Sequence, residues 1–148
     1  MQTVMWLIVG FVVMEPVTYL VHRFVMHGSL WRLHASHHAQ RPNRWERNDW
    51  FPVMFASIVM LAMAVGFNVG GANVIVPLAV GTTLYGIAYA CVHDLYTHRR
   101  FGLFRRRSAL LEPLARAHRA HHQFGAEPYG MLLPLRVARS TPRQPTHP

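Results

Sequence analysis

The sequence predicts an all-α integral membrane protein: a helical bundle of about three spans carrying a histidine-rich helical cap on its cytoplasmic side. Three observations predict it. From Phe51 to Val92 the chain runs for 42 residues without a charge. All 15 basic residues are arginines, and none precedes Arg23 or falls between Arg47 and Arg99. Ten of the 11 histidines sit in four short motifs that flank the uncharged run. Hydrophobic residues make up 51% of the 148 and charged residues only 14%, against roughly 25% charged in a soluble domain. A disordered basic tail is excluded, because such tails stay unfolded through low hydrophobicity. The single cysteine, Cys91, excludes an intramolecular disulfide framework and any cysteine-rich zinc module.

The elements follow in order. Met1–Val21 is apolar, carries one charge at Glu15, and is long enough to span. It lacks the basic start and small-residue cleavage site of a removable signal peptide. As one helix the uncharged run would extend about 63 Å, twice the thickness of the hydrocarbon core. It is therefore read as two spans, Phe51–Phe67 and Val74–Val92, reversing at Asn68–Asn73, where glycines and asparagines favour a turn. Ser108–His122 is expected to be a helix lying on the membrane, since Leu110, Leu114, Ala117 or His118, and His121 recur at helical spacing among charged residues. Met131–Leu135 is apolar but too short to span. Residues 1–138 read as one domain and residues 139–148 as a polar, proline-rich tail. The positive-inside rule places the arginine side in the cytoplasm and the N-terminus outside. The hairpin crosses twice, so both histidine blocks end on one face. The net charge of +9 thus reports membrane orientation, and nucleic acid is not an expected partner.

The histidine motifs form an order given twice. His22 and His27 make an H-x4-H pair, and His34, His37 and His38 an H-x2-H-H triplet. After the hairpin, His93 and His98 repeat the pair, and His118, His121 and His122 the triplet. Positions i, i+3 and i+4 share a helix face, so each triplet is expected to converge on one point. An H-x4-H pair lies about 7.5 Å apart along a straight helix and about 140° apart around it. It suits either two ions between helices or a helix that ends or bulges within the motif. Ten imidazoles exceed what one ion needs and divide as four or five for each of two. Imidazole suits zinc, copper, iron and nickel alike, and an all-nitrogen set fits a pair of iron ions that must survive activated oxygen, since thiolates would oxidise. Proton relays and metal-transport paths use few ligands near the bilayer midplane, whereas these histidines lie at helix ends. His147, in the tail, reads as a surface residue. The motifs hold no nucleophile or acid–base pair for hydrolysis, and a membrane metal pair suits attack on an unactivated C–H bond.

Glu15, Tyr19 and His22 fall on one face of the first span. A carboxylate there is costly unless partnered, so Glu15 is expected to orient a ligand histidine, with Tyr19 beside it. An ion pair with an arginine, or a kink at Pro16, is the alternative. Asp94, next to His93, is a similar candidate. Glu46, Asn48 and Asp49 are read as holding the loop after the first triplet or capping the next helix, without chemistry. Trp6, Trp45, Trp50, Tyr96 and Phe101 read as interface anchors. Arg105, Arg106 and Arg107 read as a membrane-side anchor, or as a dock for an acidic electron carrier or anionic lipid.

The stretches MEPVTYLVHRFVMHGSLWRLHASHH (Met14–His38), RWERND (Arg44–Asp49), HDLYTH (His93–His98) and HRAHH (His118–His122) resemble the beta-carotene 3-hydroxylases of the fatty acid hydroxylase and sterol desaturase superfamily. The resemblance implies a non-haem di-iron monooxygenase in a bacterial cytoplasmic membrane. It would use O2 and electrons from a ferredoxin-type donor to hydroxylate the ionone rings of beta-carotene, through cryptoxanthin to zeaxanthin. Its metal ligands would be the ten clustered histidines. Carotenoid ketolases space their first motif differently, and four spans are often drawn for the family where this chain shows three. A fatty acyl or sterol hydroxylase or desaturase of the same superfamily is the alternative, followed by a membrane metal carrier.

Overall fold

A computed structural model describes residues 1–39, 45–104 and 106–133. Helix α1 (Gln2–Leu20) runs directly into a π-helical segment, Val21–Ser29, and after a break at Gly28 and Leu30 the short helix α2 (Trp31–His38) follows. A 3-10 turn, Arg47–Asp49, leads into α3 (Trp50–Asn68), which reverses through a turn containing Gly71 at φ +81° into α4 (Ile75–Ala90). A second π-helical segment, Cys91–Thr97, continues α4, and α5 (Glu112–Phe124) closes the described helices. Among the described residues every regular element is helical, and Gln2–Ser29, Arg47–Asn68 and Ile75–Thr97 are long and apolar enough to cross a membrane. Ile8, Val12, Ile58, Met60, Leu61 and Ile87 stand exposed on these helices, as lipid-facing side chains do.

The last helix departs from expectation. It begins at Glu112, not Ser108, and runs on to Phe124. Pro113 sits in its first turn, where the missing N–H costs nothing and the fixed φ favours the start of a helix. Gly125, at φ +62°, ends it. Tyr96 is a second correction: it is buried, its hydroxyl 3.1 Å from Glu112 Oε2 and 2.9 Å from the Ser108 amide. It therefore fixes the start of α5 and is no interface anchor. Trp45, Trp50 and Phe101 are exposed, and Trp6 is half-buried. The tail 139–148, Arg105 and His147 lie outside the described residues.

Helices α1 and α4 run parallel and in backbone contact. A Cβ on Gly10 would collide with the Leu78 carbonyl, and one on Gly81 with the Leu7 carbonyl oxygen. Where apolar burial cannot drive helices together, such small residues allow the close approach that does. One step along, the Phe11 and Tyr85 rings meet edge to face at 5.7 Å, and the Tyr85 hydroxyl donates to Glu15 Oε2 at 2.6 Å. This seam delivers His22 and His93, just beyond the ends of α1 and α4, to the same end of the bundle.

Glu15 also anchors the returning chain. Its oxygens accept the backbone N–H groups of Met131 (2.9 Å), Leu132 (3.2 Å) and Leu133 (2.9 Å). Gly130 lies so close to this carboxylate that a Cβ would stand 2.8 Å from Glu15 Oε1. Tyr19 donates to Glu127 Oε1 at 2.6 Å, and Arg23 pairs with the same oxygen at 3.1 Å. Residues 126–133 thus form a strap pinned to α1 at two points.

Two outcomes follow from this packing. Gly81→Ala should cost about 1–3 kcal/mol of stability through an overpacked contact, read as a lower melting temperature in detergent. Gly86→Ala, with nothing within 4 Å of the new Cβ, should leave it unchanged or raise it. Glu15→Ala should speed hydrogen exchange at the amides of Met131–Leu133, since each freed N–H forfeits a charge-assisted bond of about 1.5–3 kcal/mol. Unchanged protection there would contradict the clamp.

Candidate metal centre

The π-helical segments coincide with the two H-x4-H motifs. A π turn bonds residue i to i+5, which brings i and i+5 onto one face. The His98 N–H bonds the His93 carbonyl across this interval at 3.0 Å. The paired rings consequently meet, at 5.1 Å between the centroids of His22 and His27 and 4.8 Å for His93 and His98. The bulge allowed for by the spacing is the one the chain adopts.

The triplets behave differently from expectation: neither converges on one point. His34 and His38 join His22, His27 and His121, while His37 joins His93, His98, His118 and His122. In each set of five, the ligating atoms all lie within 4.8 Å of one another. Positions i and i+4 line one ridge of a helix and i+3 the next, so each triplet straddles two sites. Each half of the chain supplies a pair and an i, i+4 couple to its own cluster, and the middle histidine of its triplet to the other. The clusters abut where His38 and His122, the last histidines of the two triplets, stack at 4.3 Å and 15°.

Hydrogen bonds at Nδ1 decide what the other ring nitrogen can do. His22 Nδ1 donates to the Tyr129 carbonyl at 2.9 Å, His121 Nδ1 to the Ala126 carbonyl at 2.7 Å, and His34 Nδ1 to Asn48 Oδ1 at 2.7 Å. In the second cluster His37 Nδ1 donates to Glu46 Oε2 at 3.0 Å. A neutral imidazole has one proton, so each of these four rings presents a bare lone pair at Nε2. Yet His22 Nε2 and His34 Nε2 stand 3.1 Å apart, both stripped of a proton. Similar Nε2 contacts join His38 to His34 at 3.2 Å, His27 to His121 at 3.0 Å, His37 to His93 at 3.0 Å and His98 to His118 at 3.0 Å. Facing lone pairs repel unless a cation lies between them. Ligand nitrogens about 2.1 Å from a common ion, on axes at right angles, would stand about 3 Å apart, so the spacing fits a shared metal.

Protonation is the competing way to relieve that repulsion, and burial opposes it. Burial, with repulsion from neighbouring imidazoles, lowers His37, His98 and His121 to about 4. Burial lowers His34 to about 3 and also pulls His38, His118 and His122 down. The rings therefore stay neutral at physiological pH, the state that ligates metal. His122 Nε2 is buried without a hydrogen-bond partner.

The other expected residues land at different distances from the clusters. Asp94 Oδ1 lies 3.4 Å from His93 Nδ1 and 3.1 Å from Arg100. Glu15 touches Tyr85 and the strap, and among the described residues none of its hydrogen bonds reaches a histidine. Tyr19 acts one step away, through Glu127 and through its edge-to-face contact with Tyr129, whose ring borders His22, His27 and His121. Glu46 and Asn48, given no chemistry from the sequence, are the side chains directly on His37 and His34. They lie at the start of the 3-10 turn before α3 and not on α2, so no helical periodicity links them to the triplet. Asp49 keeps the expected holding role, bonding the Glu46 amide and pairing with both terminal nitrogens of Arg100.

Residues 7–136 match the family model described as fatty acid hydroxylase. A beta-carotene hydroxylase of Pseudescherichia vulneris is 38% identical over 116 residues, 78% of this chain and 65% of the relative. One from Pantoea ananas is 34% identical over 138 residues, 88% of this chain and 78% of the relative. A chloroplastic beta-carotene 3-hydroxylase of Arabidopsis thaliana is 37% identical over 120 residues, 76% of this chain and 38% of the relative. The chain thus spans just under two thirds of the Pseudescherichia protein and a smaller part of the plant one. No solved structure matches. The matched stretch contains all ten clustered histidines, and the chain belongs to the fatty acid hydroxylase family.

Proposed function

We propose that this chain is an O2-dependent beta-carotene hydroxylase, carrying two iron ions on its ten clustered histidines at the cytoplasmic face of a bacterial membrane. A ferredoxin-type donor would supply electrons, and the ionone rings of beta-carotene would be hydroxylated through cryptoxanthin to zeaxanthin. The observation that carries this reading is the pair of neutral imidazoles, His22 and His34, facing each other lone pair to lone pair at 3.1 Å, within one of two sets of five imidazoles whose ligating atoms converge. The names of the relatives support the substrate, and a donor set of imidazoles alone, with no thiolate to oxidise, suits iron that must work with oxygen.

The bound ions would supply the oxygen chemistry, which no side chain here can provide. The protein's own contribution is to hold and to shield. His22, His27, His34, His38 and His121 would hold one ion, and His37, His93, His98, His118 and His122 the other. The Tyr129 and Ala126 carbonyls, Asn48 and Glu46 keep the proton on Nδ1 of their histidines, so that Nε2 stays free to ligate. The rings of Trp31, 5.2 Å from His27, and Tyr129, 5.1 Å from it, screen the first cluster from water. The exposed apolar flanks of the spans offer a long hydrocarbon a place to lie with one end at the histidines.

The family description favours a second reading, hydroxylation of a fatty acyl chain by the same centre. Expression in cells that accumulate beta-carotene, with pigments and membrane lipids both analysed, separates the two. Cryptoxanthin and zeaxanthin should appear, and His37→Ala or His121→Ala, one from each cluster, should each abolish them. Unchanged beta-carotene beside hydroxylated acyl chains would overturn the carotenoid assignment in favour of the lipid one.

A further inference from the structure

The two clusters match in number, in ligand type and in burial, each having three buried and two half-buried rings. They differ in what stands behind the rings. In the first cluster the Nδ1 partners are neutral oxygens: two backbone carbonyls, of Tyr129 and Ala126, and the amide of Asn48. The nearby carboxylate Glu127 is engaged with Tyr19 and Arg23 instead. In the second cluster the one hydrogen-bonded Nδ1, that of His37, donates to a carboxylate, Glu46 Oε2 at 3.0 Å. Asp94 Oδ1 stands 3.4 Å from His93 Nδ1, near in charge but without a hydrogen bond. Behind them Arg100 joins Asp94 at 3.1 Å to Asp49 at 2.7 Å. Among the described residues, three carboxylates, Glu46, Asp49 and Asp94, thus face one guanidinium on this side.

An N–H donating to a carboxylate pushes electron density into the imidazole and makes its far nitrogen the stronger donor, while a neutral carbonyl does so less. Uncompensated negative charge beside a site also favours a dication electrostatically. From this asymmetry we infer that the two metal positions are unequal, the cluster containing His37 and His93 holding its ion more tightly than the cluster containing His22 and His34. The inference rests on the dinuclear reading above. Glu46 is then a positioning residue for the tight position, acting through His37, and Asn48 its neutral counterpart on the other side, acting through His34.

The test is chelator-driven release from the iron(II)-loaded full-length protein, kept anaerobic in detergent, with ions retained counted at each chelator concentration. Wild type should lose its two ions in two separate steps. Glu46→Gln should bring the later step forward by about 10–100-fold in chelator, the usual effect of losing such a partner, and leave the earlier step in place. Asn48→Asp removes no bulk and adds a carboxylate beside His34, so it should delay the earlier step and narrow the gap. Simultaneous release from wild type would overturn the inference, as would Glu46→Gln moving the earlier step or Asn48→Asp leaving both unmoved. Loaded wild type that never holds two ions would overturn the dinuclear reading itself, a distinguishable failure.

Discussion

A neutral imidazole carries one proton, and this constraint organises most of the structure. Once the Nδ1 N–H donates to the Tyr129 carbonyl or to Asn48, Nε2 of His22 or His34 is committed to being an acceptor. Two such acceptors cannot stand 3.1 Å apart in a buried site without a positive charge between them. The strap that carries Tyr129 and Ala126, the clamp at Glu15 that holds the strap, and the loop that carries Glu46 and Asn48 all keep protons at Nδ1 and lone pairs facing inward. The glycine seam between α1 and α4 sets the scale of the whole, because it fixes where the two helix ends deliver their first histidines.

The twofold character of the chain goes beyond repetition of motifs. Each half provides a π-helical pair and an i, i+4 couple to one cluster, then reaches across with the middle histidine of its triplet. Neither half can complete a five-membered set alone. His37 and His121 therefore tie the halves together, and the stacked rings of His38 and His122 mark where the clusters meet. The two sites are alike in composition and unlike in surrounding charge, a difference set by the polar residues around them and absent from the histidine pattern.

Much of this was legible in the sequence. The charge-free run, its glycine-containing turn and the flanking arginines define three spans and their order, because hydropathy and charge act locally. The histidine spacing allows a helix that ends or bulges at each H-x4-H, beside two ions between helices, and four or five ligands per ion. The division of each triplet was not legible, because it depends on how α2 and α5 meet, and helix-face geometry alone places i, i+3 and i+4 together. The roles of Glu46 and Asn48 were hidden for a related reason: their partners are fixed by a loop path with no periodic signature. Glu15 reads as a carboxylate that needs a partner and is expected to orient a histidine, whereas its partners are the Tyr85 hydroxyl and backbone amides 116 to 118 residues away. Pro113 was a local signal for the start of α5 and outweighs the apolar spacing that suggested Ser108.

The exchange of middle histidines is the central claim, and metal counting on two triple variants tests it most directly. Substituting His37, His118 and His122 with alanine damages one cluster and leaves the other whole, so about one ion per chain should survive a chelator wash. Substituting His118, His121 and His122, the entire second triplet, damages both clusters, and clearly less than one ion should remain. The reverse order, with the intact ion surviving loss of the whole triplet, would contradict the exchange and restore one site to each half of the chain.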